Sequence, residues 1–514
     1  MFMSIKGMVF KIAATLAICA ASLGYFSVFV PINMDEFNQY HGIICHEYQG
    51  NMFNSFRESC SDYDLAIIPG YFLPLRTFAY VGNVHSLLYY PLFKLWPAPS
   101  SARLLGIIML FIQAILIWKI FRIDVLIVFF LLMSFMPYAF QHLVDTGPVS
   151  FQTTSIFLIC YLSRKWAASL AFVKGWSWRY ACALGVVLFV GVWVKLVYII
   201  LFPAIFILIG YFLAVNQGVW RDPKRLRMML RDIGILLIIS GVLIFLLLNA
   251  HERSGDRYYH EFLAAHSIPF SDHAVMGRHL CTLIKYFTNP LWSAHRIFII
   301  DKEVTMTGLG LIALVVSFLI FSVWQLRAQR IKIGFVVLNL ALFTMTFLLM
   351  VKNQRVESMH HVVLMYPFLL LALFYVMARV SAGKFMYFAA AVFICINSFL
   401  YFSLTRMAVS EITHPSLVRL NDYLNKNYSH DSIFVNVSWG MYYLKALYGE
   451  KDQCVLYMEP FDRRYMLALD PILGRTHRRA LFIGRVNALS ESFFEQHYKE
   501  LKLDFDTGTW RVWY

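Results

Sequence analysis

Two adjacent carboxylates, Asp35 and Glu36, follow the first apolar run in the stretch FVPINMDEFNQYHG. A carboxylate held against apolar walls resists ionisation and can take a proton from an attacking hydroxyl. A polar helix end would look the same, so the two readings stand side by side. A second acid, Asp145, is the sole acid of the short segment HLVDTGPVSF, three residues after His142. Cations collect elsewhere. Lys195 is the lone charge of the 36-residue apolar stretch 180–215. Lys352, Arg355, His360 and His361 crowd VKNQRVESMHHVVLMYPF around one glutamate, and Arg257 lies in HERSGDRYYHEF with Arg253. Cations at these places could snorkel to lipid headgroups or pair with a phosphate.

These residues need a scaffold that sets them at one surface. Of the 514 residues, 59% are hydrophobic and only 15% charged, well below the roughly 25% of soluble chains. Apolar runs long enough to cross a bilayer recur. The runs predict a mainly α polytopic membrane protein with about eleven spans, near 9–30, 103–120, 124–142, 148–163, 180–194, 197–215, 233–249, 304–324, 333–351, 362–379 and 385–403. The stretch 180–215 reads as two crossings that break near Lys195, because about 20 residues suffice for one. The N-terminal run carries Lys6 and Lys11 like a signal peptide. It is longer than a cleavable core, and an uncleaved first helix is expected.

The net charge of +15 follows membrane topology rather than nucleic-acid binding. SRKWAASLAFVKGWSWRY, WRDPKRLRMMLRD and QLRAQRIK are rich in Lys and Arg, and such loops stay cytoplasmic. The loops 31–102, 143–147, 250–303 and 352–361, and the tail from 404, then fall on the outer side, with every candidate site residue. The membrane domain is expected over 1–405. The tail, 406–514, alternates helical and strand-like stretches (SLVRLNDYLNKNY, SIFVNV, QCVLYM, ALFIG, TWRVWY) and predicts a small extra-membrane α/β domain. It lacks a Gly-x-Gly-x-x-Gly loop. Cys45 and Cys60 share the first outer loop, where an oxidising exterior permits a disulfide. No zinc-ligand spacing is present.

The order of these elements resembles the GT-C glycosyltransferases, especially the protein O-mannosyltransferase-like and lipid A aminoarabinose-transferase-like bacterial enzymes. The resemblance rests on five stretches in sequence. They are the Asp35-Glu36 pair, YVGNVHSLLYYPLFKLW with Gly82 through Pro91, SSARLLG with Arg103 opening a span, GVWVKLVYIILFP around Lys195, and MHHVVLMYPFLLLAL. Val194 stands where such enzymes often have Thr. The resemblance implies a GT-C-type bundle in a bacterial inner membrane, with its active site and tail domain in the periplasm. It implies a polyprenyl-phosphate sugar donor and a lipid, glycan or protein acceptor. The implied reaction is a single inverting displacement. Asp35 would be the base, Glu36 or Asp145 would position the substrates, and Lys195, Lys352, Arg355, His360, His361 and Arg257 would hold the lipid phosphate. His85, Tyr89 and His142 would support the acceptor or the loops. No cofactor is required, although a divalent ion between Asp35 and Asp145 is an option that related oligosaccharyltransferases use. A lipid or solute transporter is the rival reading. Such proteins bind near mid-bilayer at broken helices, whereas the charges here gather at span ends.

Overall fold

The computed structural model describes residues 64–68, 71–74, 76–78, 81–82, 84–95, 99–135, 138–139, 142, 148–172, 176–215, 220, 222–253, 272–288, 333–352, 362–379, 406, 415–427, 432–436, 454–457, 479–485, 502–508 and 510–514. Asp35, Glu36, Cys45, Cys60, Asp145, Arg257, Arg355, His360 and His361 lie outside them, as do the spans expected at 9–30, 304–324 and 385–403. The chain divides into two units. The described part of the first covers 64–379, and that of the second 406–514.

The first unit opens with two short antiparallel pairs, β1 (Asp64–Ile68) with β2 (Tyr71–Pro74) and β3 (Arg76–Phe78) with β4 (Val81–Gly82). Helices follow: α1 (Val84–Leu95), α2 (Pro99–Phe121), α3 (Val125–Ser134), α4 (Pro148–Ala171) and α5 (Ser177–Val194). A 3-10 turn, Leu196–Leu201, leads into α6 (Phe202–Val215). Then come α7 (Pro223–Arg253), α8 (His273–Thr288), α9 (Gly334–Val351), a second 3-10 turn at Val363–Met365, and α10 (Tyr366–Arg379). Among the described residues five helical segments are long and apolar enough to cross a membrane, namely Arg103–Phe121, Ser177–Val194, Leu196–Val215, Pro223–Asn249 and Gly334–Val351. The unit is that of an integral membrane protein.

Local chemistry explains the helix ends. Pro99, Pro148 and Pro223 each occupy the first helical position, where the missing N–H costs nothing and φ is already helical. Asp124 caps α3 by accepting from the N–H groups of Leu126 and Ile127. Asp222 does the same for Lys224, and Asp272 for Val275. α3 stops at Ser134, and residues 138, 139 and 142 are helical again beyond it, so the span expected at 124–142 is interrupted rather than continuous. α4 and α7 run beyond their expected limits. The basic stretches read as loops, SRKWAASLA and PKRLRMMLRD, are helical extensions of the spans. At 31 residues α7 is about 46 Å long, against about 30 Å of hydrocarbon, so its basic first turns lie beyond the apolar layer. Asp232 of α7 is fully buried, and accepts from Trp166 Nε1 of α4 at 3.1 Å and from Arg231 at 2.7 Å. The rest of α7 bares Leu237, Ile238, Val242, Phe245 and Leu246.

α4 is the hub. It packs against α2, α5, α6, α7, α10 and the 363–365 turn. Of its 24 residues 16 are buried, a larger share than in the apolar span Pro223–Asn249 of α7, so it is enclosed by protein rather than lipid.

The second unit is an α/β sheet layer. Helix α11 (Pro415–Asn427) precedes β5 (Ser432–Asn436), β6 (Cys454–Tyr457), β7 (Arg479–Arg485), β8 (Leu503–Asp506) and β9 (Trp510–Trp513). The spatial order is β6-β5-β7-β9-β8. β5, β6 and β7 are parallel, and β9 runs antiparallel to both β7 and β8. β8 was not expected from the sequence. Its alternation is short, and it follows a stretch with helical character. Tyr423 of α11 stacks on Phe505 at 3.9 Å and donates to Asp504 Oδ2 at 2.6 Å.

The β8–β9 hairpin makes a pH-dependent tie. Asp506 accepts from the Gly508 N–H at 2.6 Å and from Arg511 Nε at 2.8 Å. The Gly508 bond and the Arg511 charge hold its carboxyl below the ordinary value of 3.8, against a smaller opposing effect of burial. A depressed acid stabilises the folded form fully above the unfolded pKa and loses that contribution as pH falls through the folded one. Amide exchange in 503–513 should therefore be flat from pH 7 to 5, once corrected for intrinsic rates, and quicken below about pH 4. Asp506→Asn should remove that acid step.

Candidate functional site

The N-terminal turns of α4 read SFQTTS, Ser150–Ser155, a polar run inside a span. Burying hydroxyls and amides in a helix bundle is costly unless each finds a partner. Gln152 Nε2, Thr153, Thr154 and Ser155 find partners on two sides, while Ser150 Oγ and Gln152 Oε1 are buried without one among the described residues.

On one side stand Gln113 of α2, Tyr138 and His142. Gln113 Nε2 donates to Thr154 Oγ1 at 2.8 Å, lies 3.3 Å from Thr153 Oγ1, and is 3.0 Å from His142 Nε2. Tyr138 OH donates to Gln113 Oε1 at 2.8 Å. His142 Nδ1 lies 2.8 Å from the Tyr138 carbonyl. A carbonyl can only accept, so Nδ1 carries the proton, and Nε2 is left to accept from the Gln113 amide. Thr153 Oγ1 lies 2.9 Å from that same Nε2 and donates to the Val149 carbonyl at 2.7 Å. All five side chains are buried. His142 thus meets the first turns of α4, with residues 143–147, Asp145 among them, between the two in sequence.

On the other side is the break between α5 and the 3-10 turn. Lys195 is extended there (φ −162°, ψ 124°) and buried. A broken helix leaves carbonyls unsatisfied. Gln152 Nε2 supplies two of them, donating to the Lys195 carbonyl at 2.8 Å and to Gly191 at 3.2 Å. Tyr198 N–H also donates to the Lys195 carbonyl, and the Tyr198 and Ser155 hydroxyls share a short hydrogen bond. Gly191 has to be glycine, because a Cβ there would overlap the Tyr198 ring. A Cβ on Gly82 would likewise overlap the Trp193 carbonyl. The strand that precedes α1 thus docks backbone-to-backbone two residues before Lys195.

His85 of α1 is buried, and Tyr89 follows it by four residues in the same helix, which packs on α2 and α5. Arg103 is buried near the start of α2. Lys352 caps α9, whose last carbonyl is held by α8. There His279 Nδ1 lies 3.1 Å from the Val351 carbonyl and donates to it. α9 in turn packs against both 3-10 turns. The end of the bundle at which α4 begins therefore gathers the Lys195 break, the Gly82 docking point, His142 and the flanks of the Asp145 segment.

Sequence reasoning singled out Lys195 and His142 but missed Gln113, Tyr138, Gln152, Thr153, Thr154, Ser155 and Tyr198. The available signal was SFQTTS itself, six residues with five polar ones opening an otherwise apolar run. Among the described residues no group of three His, Cys, Asp or Glu side chains converges as a metal site. The Asp35 and Asp145 pair lies outside them.

No family model and no curated protein matches the chain. Solved structures do resemble it in outline. ArnT from Cupriavidus metallidurans in its apo state shares 13% identity over 98% of this chain and 97% of that one, with a TM-score of 0.47. The archaeal oligosaccharyltransferase AglB from Archaeoglobus fulgidus, in complex with an inhibitory peptide and a dolichol-phosphate, shares 9% over 94% of this chain and 70% of that one, at 0.40. The Archaeoglobus fulgidus oligosaccharyltransferase with zinc and sulfate shares 10% over 92% and 68%, at 0.38.

Gln113→Leu orphans the partners on Tyr138, His142 and Thr154. It should cost about 1–3 kcal/mol and lower the melting temperature of the detergent-solubilised protein. Unchanged melting would show the network to be dispensable. Gly82→Val should cost about 1–3 kcal/mol by overpacking, read in the same melt.

Proposed function

We propose that the chain is a membrane glycosyltransferase that moves a sugar from a polyprenyl-phosphate donor to an acceptor hydroxyl at the outer face. The observation that carries this reading is the meeting, on one helix, of the Lys195 break with both flanks of the Asp145 segment. That meeting supports a cation for a phosphate and a carboxylate for a hydroxyl working at the same end of the bundle.

In this mechanism Asp35 accepts the proton of the acceptor hydroxyl. The oxygen attacks the anomeric carbon from the side opposite the leaving group, and the configuration inverts. The bond from anomeric carbon to phosphate oxygen breaks, and its electron pair stays on the lipid phosphate. Lys195, Lys352, Arg355, His360, His361 and Arg257 offset the new charge there, the role for which fixed cations suit a developing oxyanion. Glu36 or Asp145 orients donor or acceptor. Cys45 and Cys60 staple the first outer loop.

The transporter reading has one observation in its favour. The helix break at Lys195 and the buried polar side chains beside it are features of substrate paths. The two readings part on one measurement. Purified protein given a polyprenyl-phosphate sugar and an acceptor extract should release free lipid phosphate. Asp35→Asn should lower that release by about 10²–10⁴-fold while leaving the melting temperature unchanged. Full turnover by that variant removes Asp35 as the base. Translocation of the lipid across vesicles with no release of phosphate supports the transporter.

A further inference from the structure

We infer that Gln152 is a positioning residue for Lys195, and through it for the phosphate of the lipid donor. α5 ends at Val194 and the 3-10 turn begins at Leu196, so Lys195 alone joins two helical segments. Its extended φ and ψ set the direction in which its side chain leaves the chain. An exposed lysine reaches its anion by turning a flexible four-carbon stem. Lys195 is buried, and a close-packed interior leaves a side chain few rotamers. The backbone at 195 therefore decides where the ammonium can stand.

One amide spans the break. Gln152 Nε2 donates to the Gly191 carbonyl at 3.2 Å, inside α5, and to the Lys195 carbonyl at 2.8 Å, beyond its end. Lys195 N–H donates to the same Gly191 carbonyl at 3.3 Å, and Tyr198 N–H to the same Lys195 carbonyl at 3.0 Å. Residue 195 is thus clasped through both of its peptide groups from a neighbouring helix. Two carbonyls that converge on one nitrogen accept and cannot donate, so without that nitrogen they repel in a dry interior. The stretch on either side is helical, and release of the clasp lets residue 195 relax toward helical values. That change turns its side chain about the helix axis, since Cβ direction follows the backbone.

Packing alone does not call for a glutamine here. Each of the two carbonyls keeps one backbone donor without it. Gln152 Oε1 is buried with no partner among the described residues, and an unpaired buried amide oxygen costs free energy. An apolar side chain of the same size would fill the space without that cost, but it could not hold residue 195 extended. The identity of the phosphate as that of a sugar donor rests on the transferase reading; the clasp on Lys195 does not.

The test uses full-length protein in detergent, with polyprenyl phosphate and the matching polyprenol as probes, read by titration beside the release of lipid phosphate from a polyprenyl-phosphate sugar. Gln152→Met fills the same space without a donor. It should weaken polyprenyl phosphate by about tenfold and leave polyprenol unchanged, with a smaller drop in melting temperature than Gln113→Leu. If Gln152→Met does not fold, Gln152→Ala, which overfills nothing, carries the same expectation. Lys195→Ala should weaken polyprenyl phosphate at least as much. Adding Gln152→Met to Lys195→Ala should then change nothing further, because the amide acts through the lysine. Additive losses, equal losses for both probes, or full binding of the phosphate by Gln152→Met overturn the inference and leave Lys195 as the phosphate cation. Wild-type binding of the phosphate by Lys195→Ala overturns both the inference and that role of the lysine. The expected binding pattern, with no release of phosphate from the sugar donor by the wild-type chain, supports the clasp and sinks the transferase reading alone.

Discussion

The membrane unit depends on burying a polar helix. α4 opens with five hydrogen-bonding side chains in six residues and still lies in the middle of the bundle. Lipid could not satisfy those groups, and water is excluded. The surrounding helices must therefore present partners at fixed positions, which removes most alternative packings. Gln113 fixes the height of α2 against α4, and Gln152 fixes where α5 ends. A purely apolar hub would slide and rotate more freely, because dispersion contacts are nearly the same in many registers.

The same demand creates the irregular backbone. A span broken at Lys195 would be untenable against hydrocarbon, since its carbonyls would lack donors. It is tolerable because Gln152 reaches across from α4. In turn the break brings the Tyr198 hydroxyl to Ser155, so each irregularity satisfies the other. Gly191 and Gly82 complete the arrangement by letting a ring and a strand approach the end of α5. Chemistry placed at this end inherits a rigid frame, which a transferase needs in order to hold two substrates in line.

Much of this was legible in the sequence, for reasons that vary by element. The spans at 103–120, 197–215 and 333–351 were readable to within a few residues, because hydropathy acts on each segment alone. The break near Lys195 was readable because bilayer thickness limits a helix to about 20 residues. The ends of α3, α4 and α7 were harder. One is interrupted after Ser134, and basic residues that mark a loop by topology are still good helix formers. The polar partners of α4 were illegible because a glutamine at 113 and a threonine at 154 become neighbours only once both helices are packed. In the tail, four strands were visible from alternation, while β8 gains its identity from pairing with β9.

The length of α7 carries a mechanical consequence. Asp232, clamped by Trp166, pins the helix to α4 near its basic end. Gly185 lets α5 approach α7 at Leu236 and Ile239, so the helix is held along its middle as well. A helix held on one side cannot tilt freely to meet a thicker or thinner bilayer, and the mismatch falls on the lipid around its bare face instead. The hydrocarbon must therefore adapt to α7, and the buried aspartate sets the depth at which it does so.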